Sequence, residues 1–234
     1  MCAVVLVLLS TTAQGDPVPT QSARDRPRVG WICARWTERM RADVNGDGRV
    51  DRILSYVRTA PNSTCDESAL PPRWWITVFM GTAGRIDREV RCDSSSLICF
   101  VAVVDLDDDG VFELVVHTDG GAALDEATVL RAVMGRLWRL RTPDGRPFEL
   151  TFATDSGTRQ GWGCRTHPGG APVVVTYLGR PQGRSAGRWR FVIERWRTEG
   201  AVVRRIGGHV RLVRTPGDWP STPHVERCSS RGQP

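Results

Sequence analysis

The stretch Asp105-Leu106-Asp107-Asp108-Asp109-Gly110-Val111-Phe112-Glu113 places five acidic side chains within nine residues and sits between two strongly apolar runs. An earlier stretch, Asp43-Val44-Asn45-Gly46-Asp47-Gly48-Arg49-Val50-Asp51, repeats its form, with oxygen-bearing side chains at positions 1, 3, 5 and 9 and glycine at position 6. Two unit charges ~5 Å apart in water repel by roughly 0.8 kcal/mol, and several such pairs sum to a few kcal/mol. A hard cation removes that cost: Ca2+ takes six to eight oxygen ligands, and carboxylates at alternate positions of a tight loop converge on one point. Position 7, Arg49 or Val111, offers its backbone carbonyl, and position 9, Asp51 or Glu113, closes the shell. The competing account is a solvated acidic turn, since Asp, Asn and Gly are ordinary turn formers. Two loops in one register favour the metal.

The loops are not EF-hands. That pattern needs a bidentate Glu at position 12 and flanking helices, whereas position 12 is Leu54 in the first loop and Val116 in the second. Each loop instead leads into a β-like run: Ile53 to Val57, and Leu114 to His117. An acidic position 9 running straight into an apolar strand resembles the FG-GAP or VCBS repeats of secreted and cell-surface β proteins, whose loop reads D-x-[DN]-x-D-G-x-x-[DE]. The resemblance implies a loop joining two strands of a propeller blade and holding Ca2+. It assigns Asp43, Asn45, Asp47 and Asp51 in the first loop, and Asp105, Asp107, Asp109 and Glu113 in the second, as ligands. It covers the two loops well and the remainder of the chain weakly.

The chain opens on an apolar run, Ala3 to Leu9, then small polar residues and Ala13-Gln14-Gly15. This reads as a signal peptide over residues 1–15 without the usual basic start, too short for a bilayer span, which needs about 20 apolar residues. No later run approaches that length. Residues 16–30, with Pro17, Pro19 and Pro27, form a flexible leader. Export leaves Cys33, Cys65, Cys92, Cys99, Cys164 and Cys228, an even set that suggests three disulfides. Order and proximity favour Cys92 with Cys99, Cys33 with Cys65 and Cys164 with Cys228; buried free thiols are the competing account. No CxxC occurs and the four His lack a paired spacing, so zinc is poorly supported.

Internal spacing sets the architecture. The first residues of the loops, Asp43 and Asp105, lie 62 positions apart. At a similar interval Arg165 to Val175 carries a glycine and a run of valines without the ligands, a third and degenerate copy. Each copy continues into a second hairpin with a Gly turn: Trp75 to Ile86 around Gly84, Val129 to Trp138 around Gly135, and Phe191 to Val203 around Gly200. Asp125 to Leu140 also fits a helical stripe, but Gly135 would weaken a helix by about 1 kcal/mol. The expected fold is all-β and antiparallel. Its propeller-like repeats of about 60 residues cover 31–92, 93–155 and 156–220, within a disulfide-stapled domain spanning 31–220, with 221–234 as a tail. Three blades do not close readily, since propellers have four to eight.

Two functional classes are compatible with these features: an exported calcium-binding β module with a structural or binding role toward a protein or glycan, or a secreted hydrolase using calcium structurally. Gly183-Arg184-Ser185-Ala186-Gly187 matches G-x-S-x-G, but an alternating strand comes after it where a nucleophile elbow needs a helix. Acidic groups bunched with Gly suit a cation better than a glycosidase's opposed carboxylates, about 5 to 9 Å apart. The net charge of +6 rests on 32 basic residues, all arginine, at alternate strand positions such as Arg188 and Arg190, as on a solvated sheet face; nucleic acid is disfavoured. Most of the nine Trp are expected in the core, and an exposed one is suited to a sugar ring or partner.

Overall fold

The computed structural model of the chain describes residues 31–59, 73–81, 84–92, 99–120, 124–153, 157–166, 172–182 and 188–214. The expected signal peptide, leader and C-terminal tail lie outside these residues. Thirteen strands are described: β1 Trp31–Ala42, β2 Asp51–Thr59, β3 Arg73–Met80, β4 Gly84–Val90, β5 Phe100–Val104, β6 Glu113–Gly120, β7 Leu124–Val133, β8 Arg136–Arg139, β9 Glu149–Ala153, β10 Arg159–Thr166, β11 Pro172–Pro181, β12 Trp189–Glu199 and β13 Val202–Val213. All named strand pairs are antiparallel.

Strands β1 to β4 form a four-stranded meander. Strands β5 to β8 repeat that order, and so do β10 to β13. In each meander the metal-type loop, or its degenerate counterpart, joins the first strand to the second, and a Gly turn joins the third to the fourth. Gly84, Gly135 and Gly200 all have positive φ, 103°, 73° and 61°, which a side chain would oppose. The segment 125–140 is therefore a hairpin and not a helix. Val129-Leu130-Arg131-Ala132-Val133 is continuous and β-branched enough to pair, and the left-handed Met134-Gly135 turn returns the chain.

The described strands close into no barrel or propeller, and the second and third meanders are not separate blades. Strand β7 is long enough to divide one edge between two partners. Residues 130–133 pair with β8, while 124–128 pair with β9, which bridges onward to β10. The result is a nine-stranded sheet.

The core explains the apolar runs. Trp74, Ile76 and Val78 of β3, with Ile53 and Val57 of β2, pack against Val103, Leu114, Val116, Leu130 and Leu137. The intervening residues Ala102, Val104, Val115 and Val129 point the other way, into a second cluster with Leu150, Trp162, Val174 and Val203. Strands β5 to β7 thus form a middle layer with both faces buried, and a strand buried on both faces reads as a continuous apolar run. Trp74, Trp162 and Trp189 fill cores as expected, whereas Trp75 and Trp196 are half-buried and Trp138 is exposed.

Cys92 and Cys99 are disulfide-bonded, as their proximity suggested, tying the end of β4 to the start of β5. Cys164 is disulfide-bonded as well, but the pairings expected with Cys228, and of Cys33 with Cys65, lie outside the described residues. Residues 183–187 also lie outside them; the flanking strands β11 and β12 are antiparallel neighbours, and among the described residues there is no helix for a nucleophile elbow to precede.

The two-faced middle layer makes a specific demand on stability. Val103→Ala and Val104→Ala, neighbours facing opposite cores, should each cost more than about 1.5 kcal/mol in denaturant unfolding. A strand with one wet face would lose stability at only one of the two positions.

Candidate cation site in paired acidic loops

The two loops share one backbone design. At position 6 Gly48 and Gly110 have φ of 79° and 84°; at position 4 Gly46 and Asp108 have φ of 76° and 59°. Glycine at position 6 takes this left-handed region without steric cost, and Asp is among the few side-chain residues that tolerate it. The same three hydrogen bonds then form in each. The position 6 amide donates to the position 1 carboxylate, Gly48 N to Asp43 Oδ2 at 2.7 Å and Gly110 N to Asp105 Oδ2 at 3.0 Å. The position 7 amide donates to position 5, Arg49 N to Asp47 Oδ1 at 2.9 Å and Val111 N to Asp109 Oδ1 at 2.8 Å. The position 2 amide donates to position 9, Val44 N to Asp51 Oδ2 at 3.1 Å and Leu106 N to Glu113 Oε2 at 2.9 Å.

The loops also meet each other. Phe112 N donates to the Asp43 carbonyl at 2.8 Å, and a Cβ placed on Gly46 would fall 2.9 Å from Val111 Cγ2. Gly46 is thus needed twice over, for its conformation and for this close approach.

Their carboxylates differ in arrangement. Asp105, Asp107 and Asp109 each direct an oxygen into one cluster, these atoms lying within 4.8 Å of one another. Asp105 is 6 % exposed, and its Oδ1 and that of Asp107 are buried without hydrogen-bond partners. Burial pushes both carboxyls up; amides from Gly110 and Asp108 oppose this for Asp105, the latter without completing a hydrogen bond to Oδ1, and Arg131 opposes it for Asp107. Orphaned buried acceptors are costly. Three carboxylates facing a common point form a donor set of hard oxygens, the chemistry that Ca2+ or Mg2+ takes.

In the first loop Asp43, Asn45 and Asp47 are instead engaged with the loop itself. Gly46 N donates to Asp43 Oδ1 at 2.7 Å, Asp47 N to Asn45 Oδ1 at 3.0 Å, and Asn45 Nδ2 to Asp47 Oδ2 at 3.1 Å. Asp51 is buried with Oδ1 unpartnered, and burial raises its pKa against the opposing Val44 amide. Among the described residues only the second loop gathers three ligand-type side chains.

Position 9 of the second loop turns elsewhere. Glu113 is fully buried and outside the three-aspartate cluster. Its Oε1 accepts from Arg131 Nη1 at 2.7 Å, and the same nitrogen reaches Asp107 Oδ2 at 2.9 Å, while Nη2 pairs with Asp109. Burial raises the Glu113 carboxyl to about 8, with Arg131 and the Leu106 amide pulling it down. Burial alone would disfavour the charge on Arg131, but Glu113 and Asp107 outweigh it and raise its pKa. These two shifts favour opposite states of Glu113. We favour the carboxylate, because both its oxygens accept hydrogen bonds and neither has an acceptor for a hydroxyl proton.

The loop pattern does not disclose Arg131. Its signal in the sequence is one charge inside an apolar strand, Val129-Leu130-Arg131-Ala132-Val133, where a guanidinium needs buried anions. Removing one partner of a buried ion pair costs about 3–5 kcal/mol. Arg131→Met should therefore lose that much in denaturant unfolding with chelator present, and Asp144→Ala, whose partner Arg146 is exposed, should lose almost nothing.

No family model matches the chain, and neither a curated protein nor a solved structure does.

Proposed function

We propose that the chain is an exported β module that binds calcium in its acidic loops and acts without catalysis, as a structural or binding unit. The observation that carries this reading is the convergence of Asp105, Asp107 and Asp109 with the Oδ1 atoms of Asp105 and Asp107 buried and unpartnered. Those three carboxylates would hold the ion, with the Val111 carbonyl at hand in the same loop. Arg131, anchored by Glu113, would stand behind them, offsetting part of the loop's charge and fixing Asp107 and Asp109. The shared backbone design of the first loop supports a second, weaker position at Asp43, Asn45, Asp47 and Asp51, with the Arg49 carbonyl. There a cation would have to displace the contacts that the side chains make within the loop.

Calcium would act on folding and not on a reaction. A ligand that binds only the native state stabilises it, by about 2.7 kcal/mol at 100 times its dissociation constant. The FG-GAP or VCBS resemblance of both loops favours Ca2+ over Mg2+, and the Cys92–Cys99 disulfide is compatible with an extracellular location. No helix among the described residues is long and apolar enough to cross a membrane.

Thermal melts of the oxidised chain in Ca2+, in Mg2+ and in chelator test the reading, with Asp105→Asn as the variant. Asparagine keeps an acceptor for the Gly110 amide and removes the charge. The expected result is a Ca2+-specific rise in melting temperature that Asp105→Asn abolishes while leaving the melt in chelator unchanged or slightly higher. Coincident melts of the unsubstituted chain in all three buffers would sink the proposal.

A further inference from the structure

The outer face of the β1–β4 sheet carries a pattern that the loops do not explain. Ala42, Ile53, Val57, Trp74, Ile76, Val78 and Ile86 point inward to the core, so the alternate residues point out. Register puts Arg41 opposite Arg52, Arg52 opposite Phe79, and Phe79 opposite Arg85. One cross-strand row thus carries three arginines and one phenyl ring, spanning about 14 Å at the usual strand spacing. Arg41, Arg52 and Arg85 are exposed and Phe79 is half-buried.

Like charges directly opposite on a sheet destabilise it, and here the pair is left standing. Arg41 and Arg52 make no ion pair with any described residue, whereas Arg85 is held by Asp87 at 2.8 Å. Two of the three guanidiniums, those of Arg52 and Arg85, lie over the Phe79 ring. Arg52 lies 4.4 Å from the centroid of Phe79, and Arg85 lies 5.7 Å from it. Further along the same sheet, Arg58 lies 3.9 Å over Trp75 and donates to the Tyr56 hydroxyl at 3.0 Å. The chain of hydrogen bonds continues from Tyr56 to Thr77 and on to Asp87. Stacking on a ring holds the planar fork in place, so less conformational entropy is lost when it takes an anion.

We infer that this face is a binding surface for a linear, carboxylate-bearing polysaccharide, a polyuronate. The arginine fork matches a carboxylate with two parallel hydrogen bonds, and a chain of uronic acids presents such a group on every sugar, as the adjacent forks of Arg41 and Arg52 require; the Arg85 fork already holds Asp87. Single-stranded nucleic acid fits less well, because it is held by stacking bases on open aromatic rings, and Phe79 and Trp75 have guanidiniums over their faces. The binding draws on neither acidic loop and needs no cation.

The test is equilibrium binding of labelled decagalacturonate to the full chain in excess chelator and low salt, which separates it from the calcium reading. Compared are Arg41→Gln/Arg52→Gln, and Arg190→Gln/Arg211→Gln as a control of equal charge on the exposed positions of β12 and β13. The expected result is binding that weakens with salt, drops at least ten-fold in the first variant and is unchanged in the second, with both variants melting like the parent. No binding, an equal loss in both variants, or tighter binding of an oligodeoxynucleotide of the same charge would each overturn the inference.

Discussion

The fold is arranged around three strands of its larger sheet that are buried on both faces. Strands β5 to β7 send alternate residues into two cores, so the first meander and the third are each packed against the same thin layer. A strand in that position uses mainly apolar side chains, and a polar one inside it, such as Arg131 of β7, needs buried partners. The second acidic loop stands between the end of β5 and the start of β6, its ends Asp105 and Glu113 buried and its tip at 108–110 exposed. Arg131 and Glu113 are the charged residues of the middle layer that go deep, and they are tolerated because they pair with each other and Arg131 also meets Asp107 and Asp109.

The loops illustrate how one backbone design serves two electrostatic solutions. Both use left-handed residues at positions 4 and 6 to aim amides at the carboxylates of positions 1, 5 and 9. In the first loop glycine at position 4 and asparagine at position 3 let the side chains satisfy one another. In the second, aspartate at both places leaves more negative charge than the amides can absorb, and a guanidinium from a neighbouring strand takes part of it. What remains is a cluster with unsatisfied oxygens.

Much of this was legible from residue order. The Gly turns at Gly84, Gly135 and Gly200, the position of each loop between first and second strands, and the Cys92–Cys99 bond accord with spacing and turn chemistry. What spacing could not supply was long-range. Whether three meanders remain separate depends on which strand takes the free half of β7's edge, and β9 does so through pairing of residues 124–128 with 149–153, which no periodicity encodes. The same limit hid Arg131. Its contact with Glu113 spans 18 positions, and a ligand pattern read along the loop names Glu113 at position 9 without disclosing its guanidinium partner.

The hydrogen bond from Phe112 N to the Asp43 carbonyl joins two turns that would otherwise be independent excursions of the chain. The bond is shared by both turns, and a Cβ placed on Gly46 would fall 2.9 Å from Val111 Cγ2. Loops joined in this way should open together, so hydrogen exchange at Gly48 and Gly110 should slow or quicken in step although the two segments are distant in sequence.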